Sequence, residues 1–312
     1  RVRVRTFEPN VNGTLRLIAP AGWRVAPESV PLAVAEKNGE ADFRFTVTPP
    51  ANDRNGALRA EIETGGRKLS HAVVEIDYPH IEPQIFFPAA TTRLVRADVK
   101  RRGQRIGYVM GSGDDVPESL RQAGFDVVEL SDAELETVDF SRFDAVVAGI
   151  RVYNTRERLR VAHPRLMQYV ENGGTYVVQY NTEANVTQDR MVVPNPGPYP
   201  FKISRDRVAV EDAPVQIVHP ASSVLTTPNR ITAADFEGWV QERGLYFPNE
   251  WDAKYEAPIA TSDPGETSKP GGLLVARHGK GVFIYTAYSF FRQLPAGVPG
   301  AYRLFVNLVS AK

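Results

Sequence analysis

The hydrophobic period changes once along the chain, and that change sets the class of fold. Up to about residue 78 the apolar positions alternate with polar ones. Phe43, Phe45 and Val47 interleave with Arg44, Thr46 and Thr48, and Leu15, Leu17 and the trio Leu58, Ala60 and Ile62 follow the same rule. A period of two buries one face of a strand. The turn pairs Asn12-Gly13, Asn38-Gly39, Asn55-Gly56 and Gly65-Gly66 separate these runs, and no helical stripe interrupts them. Short strands at this spacing predict an Ig-like β-sandwich over 1–78. Pro79, Pro83 and Pro88 then break regular structure, so 79–100 reads as a semi-rigid linker.

From Arg105 the grammar becomes strand, helix, strand. The runs 106–110, 125–130, 143–148 and 175–180 read as strands. Asp115, Pro117 and Glu118 predict a capped helix start, and Asn154 with Glu157 predicts a second. The second helix carries Leu159, Ala162, Leu166 and Val170 on one face and stops at Gly173-Gly174. Alternation of this kind implies a parallel sheet covered by helices, a flavodoxin-like doubly wound α/β domain over 101–312. The pattern weakens after about 186, where Pro194, Pro196, Pro198 and Pro200 share one loop. It recovers in a hairpin across Gly279-Lys280-Gly281 and a final helix from about Pro299.

Charge and composition narrow the function. The 312 residues include 37 basic and 37 acidic side chains, so the formal net charge is zero. A nucleic-acid binder needs a basic excess to displace counterions, and none is present. No apolar run is long enough to span a bilayer. The chain has no cysteine, which excludes disulfides, thiolate zinc ligands and a thiol nucleophile. Its opening, Arg1-Val2-Arg3-Val4-Arg5, falls inside an alternating pattern, so the chain is expected to be part of a longer polypeptide.

In doubly wound sheets, ligands bind beyond the carboxyl ends of the strands. The segment Gly111-Ser112-Gly113-Asp114-Asp115 lacks the third glycine of a dinucleotide loop, and its aspartates repel phosphate, so it reads as a turn and a cap. The next two strand ends supply Tyr153 and Asn154, then Tyr180, Asn181, Glu183 and Asn185. Downstream runs add Trp239, Glu242, Arg243 and Arg292. Aromatic rings beside a carboxylate and a guanidinium suit a sugar: a flat face for the ring and paired groups for its hydroxyls. The structural alternative is a Glu–Arg ion pair holding a long loop to the sheet. Rival functions are proton-transfer catalysis by Glu183, Glu242 or Asp114, and a homo-oligomerisation module.

Three resemblances accompany these readings. The run 17–23, with its Pro20-Ala21-Gly22-Trp23 turn, is similar to the sandwich domain that accompanies alpha-galactosidases, with Trp23 either a sugar platform or a packing residue. The stretch 169–185 resembles class I glutamine amidotransferase-like domains, particularly their ThuA-like relatives. That resemblance places the family's nucleophile position at Tyr180 or Asn181, neither of which can attack an amide. Taken with 235–247 and 289–300, the whole chain resembles the C-terminal portion of large bacterial PIG-L (LmbE-like) de-N-acetylases. This implies an extracytoplasmic bacterial protein, with a zinc deacetylase domain upstream in the same polypeptide as its partner and a saccharide as ligand. Ala162-His163-Pro164-Arg165 departs from that deacetylase's Ala-His-Pro-Asp-Asp motif at Arg165. For this stretch no catalytic residue, metal or cofactor is therefore expected.

Overall fold

The computed structural model describes residues 1–51, 54–183 and 190–312, with Arg54 described through its backbone alone. Two compact units result, Arg1–Asp98 and Val99–Lys312.

The first unit is built from strands. A five-stranded antiparallel sheet runs in the order Thr91–Arg96, Arg54–Thr64, Val11–Ile18, Ser29–Val34, with Arg67–Leu69 also paired to Arg54–Thr64. Val2–Arg5 with Glu40–Phe43, Arg24–Ala26 with Thr46–Thr48, and Val74–Ile76 with Gln84–Phe86 form two-stranded ribbons. The alternating residues do face inward, but the core is thin: Val4, Leu15, Leu32 and Val34 are buried, and Phe43, Phe45 and Ile62 pack around them half-exposed. The run 43–48 is not one strand but the ends of two, in different ribbons. The stretch read as a linker also differs. Gln84–Phe86 and Thr91–Arg96 lie within it, and the latter is an edge strand of the main sheet. Prolines at 79, 83 and 88 flank these strands rather than interrupt them, as proline must where a strand needs its N–H. Trp23 is half-buried beside the Pro20 turn, to whose carbonyl its N–H donates at 3.1 Å.

The second unit is an α/β domain around a seven-stranded sheet. Its order is Asp126–Glu129, Arg105–Val109, Ala145–Ala148, Thr175–Gln179, Gly281–Thr286, Leu273–His278, Tyr255–Glu256. The first five strands are parallel and the last two antiparallel. The central strands are buried along their whole length, as strands covered on both faces must be. Leu159, Ala162, Leu166 and Val170 are all buried on helix Leu159–Glu171, so the expected stripe is the packed one. The final helix is Pro299–Val309. No helix among the described residues is long and apolar enough to cross a membrane.

Both expected caps are used differently. Asp115 makes no side-chain cap; the preceding Asp114 accepts from Val116 N at 3.0 Å instead. Asn154 starts no capping box, because its amide is committed elsewhere and the long helix begins five residues later. A true capping box does occur at Ser131 and Glu134, at the start of helix Asp132–Thr137. In the region of weak pattern, Phe201–Val208 and Gly244–Trp251 form an antiparallel ribbon whose register shifts at three places. Those irregularities break the alternation that would have revealed the strands.

One buried polar network ties the last helix to the domain. Asn307 is fully buried; its Oδ1 accepts from Asn229 N and Nδ2, both at 2.9 Å, and its Nδ2 donates to Val224 O and Asn229 O. Asn229 in turn exchanges two 2.8 Å hydrogen bonds with the Lys100 backbone. Replacing Asn307 by Leu keeps the volume but strands these groups, and should cost about 2–4 kcal/mol, since each buried polar group left unpaired costs about 1–3. Urea denaturation checks this; a loss under about 1 kcal/mol would show that the network does not hold the helix.

Candidate functional site

The parallel strands end on one side of the sheet, and the turn after Ala145–Ala148 is the sharpest there. Gly149 and Ile150 lead to Arg151, whose φ of 55° and ψ of 23° are left-handed, and the short helix Val152–Thr155 follows at once. A strand, one strained residue and a helix make the elbow that exposes a nucleophile in several α/β enzyme folds. Of the strand ends considered, the one with this elbow geometry is at Arg151 rather than at Tyr180 or Asn181. Neither of those has positive φ. An arginine at the elbow offers charge and hydrogen-bond donors but no nucleophile.

Close backbone packing requires the glycines beside this turn. A Cβ on Gly111 would lie 2.0 Å from Ile150 O. One on Gly149 would lie 3.0 Å from both the Tyr108 hydroxyl and Asp114 Oδ2. The two loops are joined by Ser112 N donating to Ile150 O at 3.0 Å.

Several predicted site residues hold these loops rather than face a ligand. Asn154 Nδ2 donates to Thr182 O at 2.8 Å, and Asn154 Oδ1 accepts from Thr182 N at 3.0 Å. Asn181 is fully buried; its Oδ1 accepts from Tyr153 N and its Nδ2 donates to Gln179 O. Tyr153 is also fully buried, with its hydroxyl 2.8 Å from Tyr176 Oη and 3.1 Å from His163 Nδ1. Arg243 is buried and donates to Ala213 O and Phe236 O, with its guanidinium over the Trp239 ring. Trp239 is buried too, its Nε1 donating to Asp235 O. Arg243 and Trp239 are thus held by backbone carbonyls, and the Glu–Arg ion pair of the structural alternative forms between Glu242 and Arg292 instead. Glu183 is half-buried and turned toward strand Phe201–Val208, where the Ile203 backbone bonds it; burial raises its carboxyl above the ordinary range. Asn185 lies outside the described residues.

The remaining candidates converge with two residues that the sequence did not single out. The Tyr180 ring packs against Tyr246 and Phe291, with centroids 5.7 and 5.6 Å away. Arg151, Arg292 and Glu242 act on its phenol, which burial raises while the two arginines pull it down. Glu242 Oε1 accepts from Arg292 Nε at 2.7 Å and from Ser289 Oγ at 3.1 Å. The Arg292 guanidinium lies 4.9 Å over the Phe291 ring. Backbone pairing carries this group to the strand ends: Leu245 N donates to Ala287 O, Ser289 N to Arg243 O, and Arg151 N to Tyr180 O. The fully buried Gln293 clamps Val240 with both ends of its amide, donating also to Glu242 O.

Strain gathers at the same place. Among the described residues five non-glycines have positive φ. Asn10 and Asn38 are turn asparagines of the first unit, a residue type that tolerates this region. Arg151, Gln241 and Tyr246 are the others; Arg151 and Tyr246 flank Tyr180, and Gln241 precedes Glu242. Left-handed backbone on such residues persists only where the surroundings hold it, and such residues cluster at ligand sites. No signal of period or composition marks Tyr246 or Gln241, because the strain is set by tertiary packing.

The cleft of about 400 Å³ lined by Arg142, Asp144, Arg165 and Tyr169 is at the opposite end of the sheet, where the strands begin. Arg165 there is tied to Leu135 O and Val138 O, and Tyr169 to Phe143 O.

No protein-family model matches the chain, and no curated protein matches it. Solved structures similar to it include a cytoplasmic protein from Salmonella typhimurium, at TM-score 0.42 and 15% identity over 67% of this chain and 100% of the other. A ThuA-like protein from Bacteroides uniformis matches at TM-score 0.39 and 14% identity, over 68% of this chain and 91% of the other. A beta-galactosidase from Rahnella matches at TM-score 0.42 and 18% identity over 66% of this chain, which spans only 31% of that enzyme. At these values the likenesses carry no function across.

Two outcomes follow from this geometry. Gln241 is exposed at φ 67°, so Gln241→Gly removes a left-handed cost of about 1–2 kcal/mol against a glycine penalty of about 0.5–1. A net gain of about 0.5–1 kcal/mol is expected in urea denaturation; a loss would show that the turn is not strained. Burial holds the His163 imidazole below its ordinary value of 6.5, so between the two values the unfolded chain binds more protons than the folded one. Stability therefore falls as pH drops below about 6.5. The melting temperature should decline through that window, and His163→Phe should flatten the decline.

Proposed function

We propose that the Val99–Lys312 unit is a non-catalytic saccharide-binding domain whose site lies at Tyr180, Tyr246, Phe291, Glu242 and Arg292. The observation that carries this reading is the Glu242–Arg292 pair fixed beside an aromatic floor. Only Nε of Arg292 is spent on Glu242, through Oε1 alone. The pair thus keeps a carboxylate oxygen to accept and guanidinium groups to donate, the two roles that neighbouring sugar hydroxyls need. Ring faces supply the apolar half of the recognition.

Arg151 at the elbow favours binding over hydrolysis. The carboxylates that could serve as a base are dispersed: Glu183 toward Ile203, Asp114 under three donors, Glu242 in its ion pair. The chain's finer identity belongs to the same proposal. It is read as an Ig-like sandwich and an amidotransferase-like domain serving as the accessory region of an extracytoplasmic bacterial PIG-L-type de-N-acetylase, whose zinc domain lies elsewhere in the polypeptide.

Calorimetric titration with neutral hexoses, N-acetylhexosamines and their oligomers tests the reading. Glu242→Gln and Arg292→Met should each weaken binding about tenfold, the effect of losing about 1.4 kcal/mol. Absence of binding across the panel, or unchanged affinity in both variants, would overturn it.

A further inference from the structure

Beneath the elbow lies a hydrogen-bond chain that the saccharide reading does not use. Gln179, at the end of the central strand Thr175–Gln179, is 1% exposed. Its Nε2 donates to the Tyr108 hydroxyl at 3.0 Å, and that hydroxyl donates to Asp114 Oδ1 at 2.6 Å. Asp114 also accepts from Val116 N at 3.0 Å and, through Oδ2, from Ile150 N at 3.4 Å. Ile150 is the residue before Arg151. The other amide atom, Gln179 Oε1, is buried and has no partner. A buried acceptor left empty is costly, and in a native protein such an atom asks for an explanation.

The chain has a second arrangement that fills that atom. As a carboxylate, Asp114 receives hydrogen bonds from three donors. Once protonated, its new O–H faces two N–H groups that cannot accept, so its partner must be the Tyr108 oxygen. The Tyr108 proton then needs a new acceptor. A half-turn of the Gln179 amide, which preserves its shape, presents Oε1 to Tyr108 and turns Nε2 to the position where Oε1 had no partner. We propose that Gln179, Tyr108 and Asp114 form a two-state relay in which a proton taken by Asp114 reverses the direction of the whole chain and loosens its hold on the elbow. The proton comes from solvent, which reaches the half-buried Asp114, and no bond other than this O–H is made.

The groups facing Asp114 are few. Asp115 on its own loop pushes toward the protonated form, as does burial, which is the larger influence. Tyr108 faces it from strand Arg105–Val109, with Glu129 acting on that tyrosine from strand Asp126–Glu129. The elbow reaches it through Ile150 N, with Arg151 the next charged residue along. In the carboxylate state Ile150 N–H meets a full negative charge; in the acid state it does not, and the left-handed Arg151 loses part of what holds it. Saccharide affinity should therefore fall on acidification. This consequence rests on the saccharide reading, whereas the relay itself does not.

The test follows the Asp114 carboxyl carbon by NMR against pH in the full chain. The wild-type midpoint should lie above that of an ordinary aspartate, and Gln179→Met should lower it, because the acid state then has no acceptor for Tyr108. If Gln179 is only a fixed donor to Tyr108, its loss weakens the bond to the carboxylate and the midpoint rises; that result overturns the relay. Tyr108→Phe guards against misfolding in the first variant. In its background Gln179→Met should leave the midpoint unchanged, and a shift equal to that in wild type overturns the relay equally. Affinity for a bound saccharide, measured across the same midpoint, should drop about tenfold on the acid side, the scale of one lost charge-assisted hydrogen bond. Constant affinity across a confirmed titration overturns the coupling to the elbow. Failure of every saccharide to bind, with the Gln179→Met shift as expected, overturns the site reading and leaves the relay standing.

Discussion

Buried backbone at the ends of parallel strands must find hydrogen-bond partners, and in this protein side-chain amides supply them. Asn154 grips both backbone groups of Thr182, Asn181 bridges Tyr153 and Gln179, and Gln293 clamps Val240. The two asparagines fix the loops after adjacent strands relative to one another, and Gln293 ties the segment before strand Gly244–Trp251 to the loop after Gly281–Thr286. Everything at the strand ends, including the left-handed Arg151 and the position of the Tyr180 ring, depends on that mutual fixing. An amide suits the task because it donates and accepts at once, whereas a carboxylate or an arginine does only one.

The same demand sorts the polar residues by role. Asn154, Asn181, Tyr153 and Arg243 have their hydrogen-bonding groups turned to protein and are buried or nearly so. Glu242 and Arg292 share one bond and keep others, beside the half-exposed rings of Tyr246 and Phe291 and the buried ring of Tyr180. What separates the structural residues from the proposed recognising ones is the number of partners already met. Residue type does not decide it: Arg243 and Arg292 carry the same group, one spent on carbonyls and one half-open.

The parallel sheet was legible where strands alternate with helices, because a run such as Ala145–Ala148 and a stripe such as Leu159–Val170 have few other uses. Less was legible where the period fails. The ribbon of Phe201–Val208 and Gly244–Trp251 carries bulges, so its strands do not alternate, and it holds Tyr246. The strand-end rule brought out Tyr180, yet it equally brought out Asn154 and Asn181, since both kinds of residue follow strands; Glu242 and Arg292 came from aromatic runs, which equally brought out Trp239 and Arg243. The left-handed turn at Arg151 was not foreseen because its signature is a dihedral angle, and Arg151 carries no sequence mark of φ. Asn307 was hidden for a related reason: in a stripe of Leu304, Phe305 and Leu308 it reads as an interruption until Asn229 is placed beside it.

The pairing of Thr175–Gln179 with Gly281–Thr286 joins residues more than a hundred positions apart, and the proposed site straddles that join. Around Tyr180, Arg151 comes from one side; Tyr246, Glu242 and Arg292 come from the other. Pairings of such sequence separation close late, because the intervening loop must first surrender its freedom. On a translating ribosome, the early strands Arg105–Val109 and Ala145–Ala148 can order while the open edge at Thr175–Gln179 waits for a neighbour not yet made. That edge is apolar and fully buried in the finished domain, so during synthesis it is the segment most in need of shielding by a chaperone.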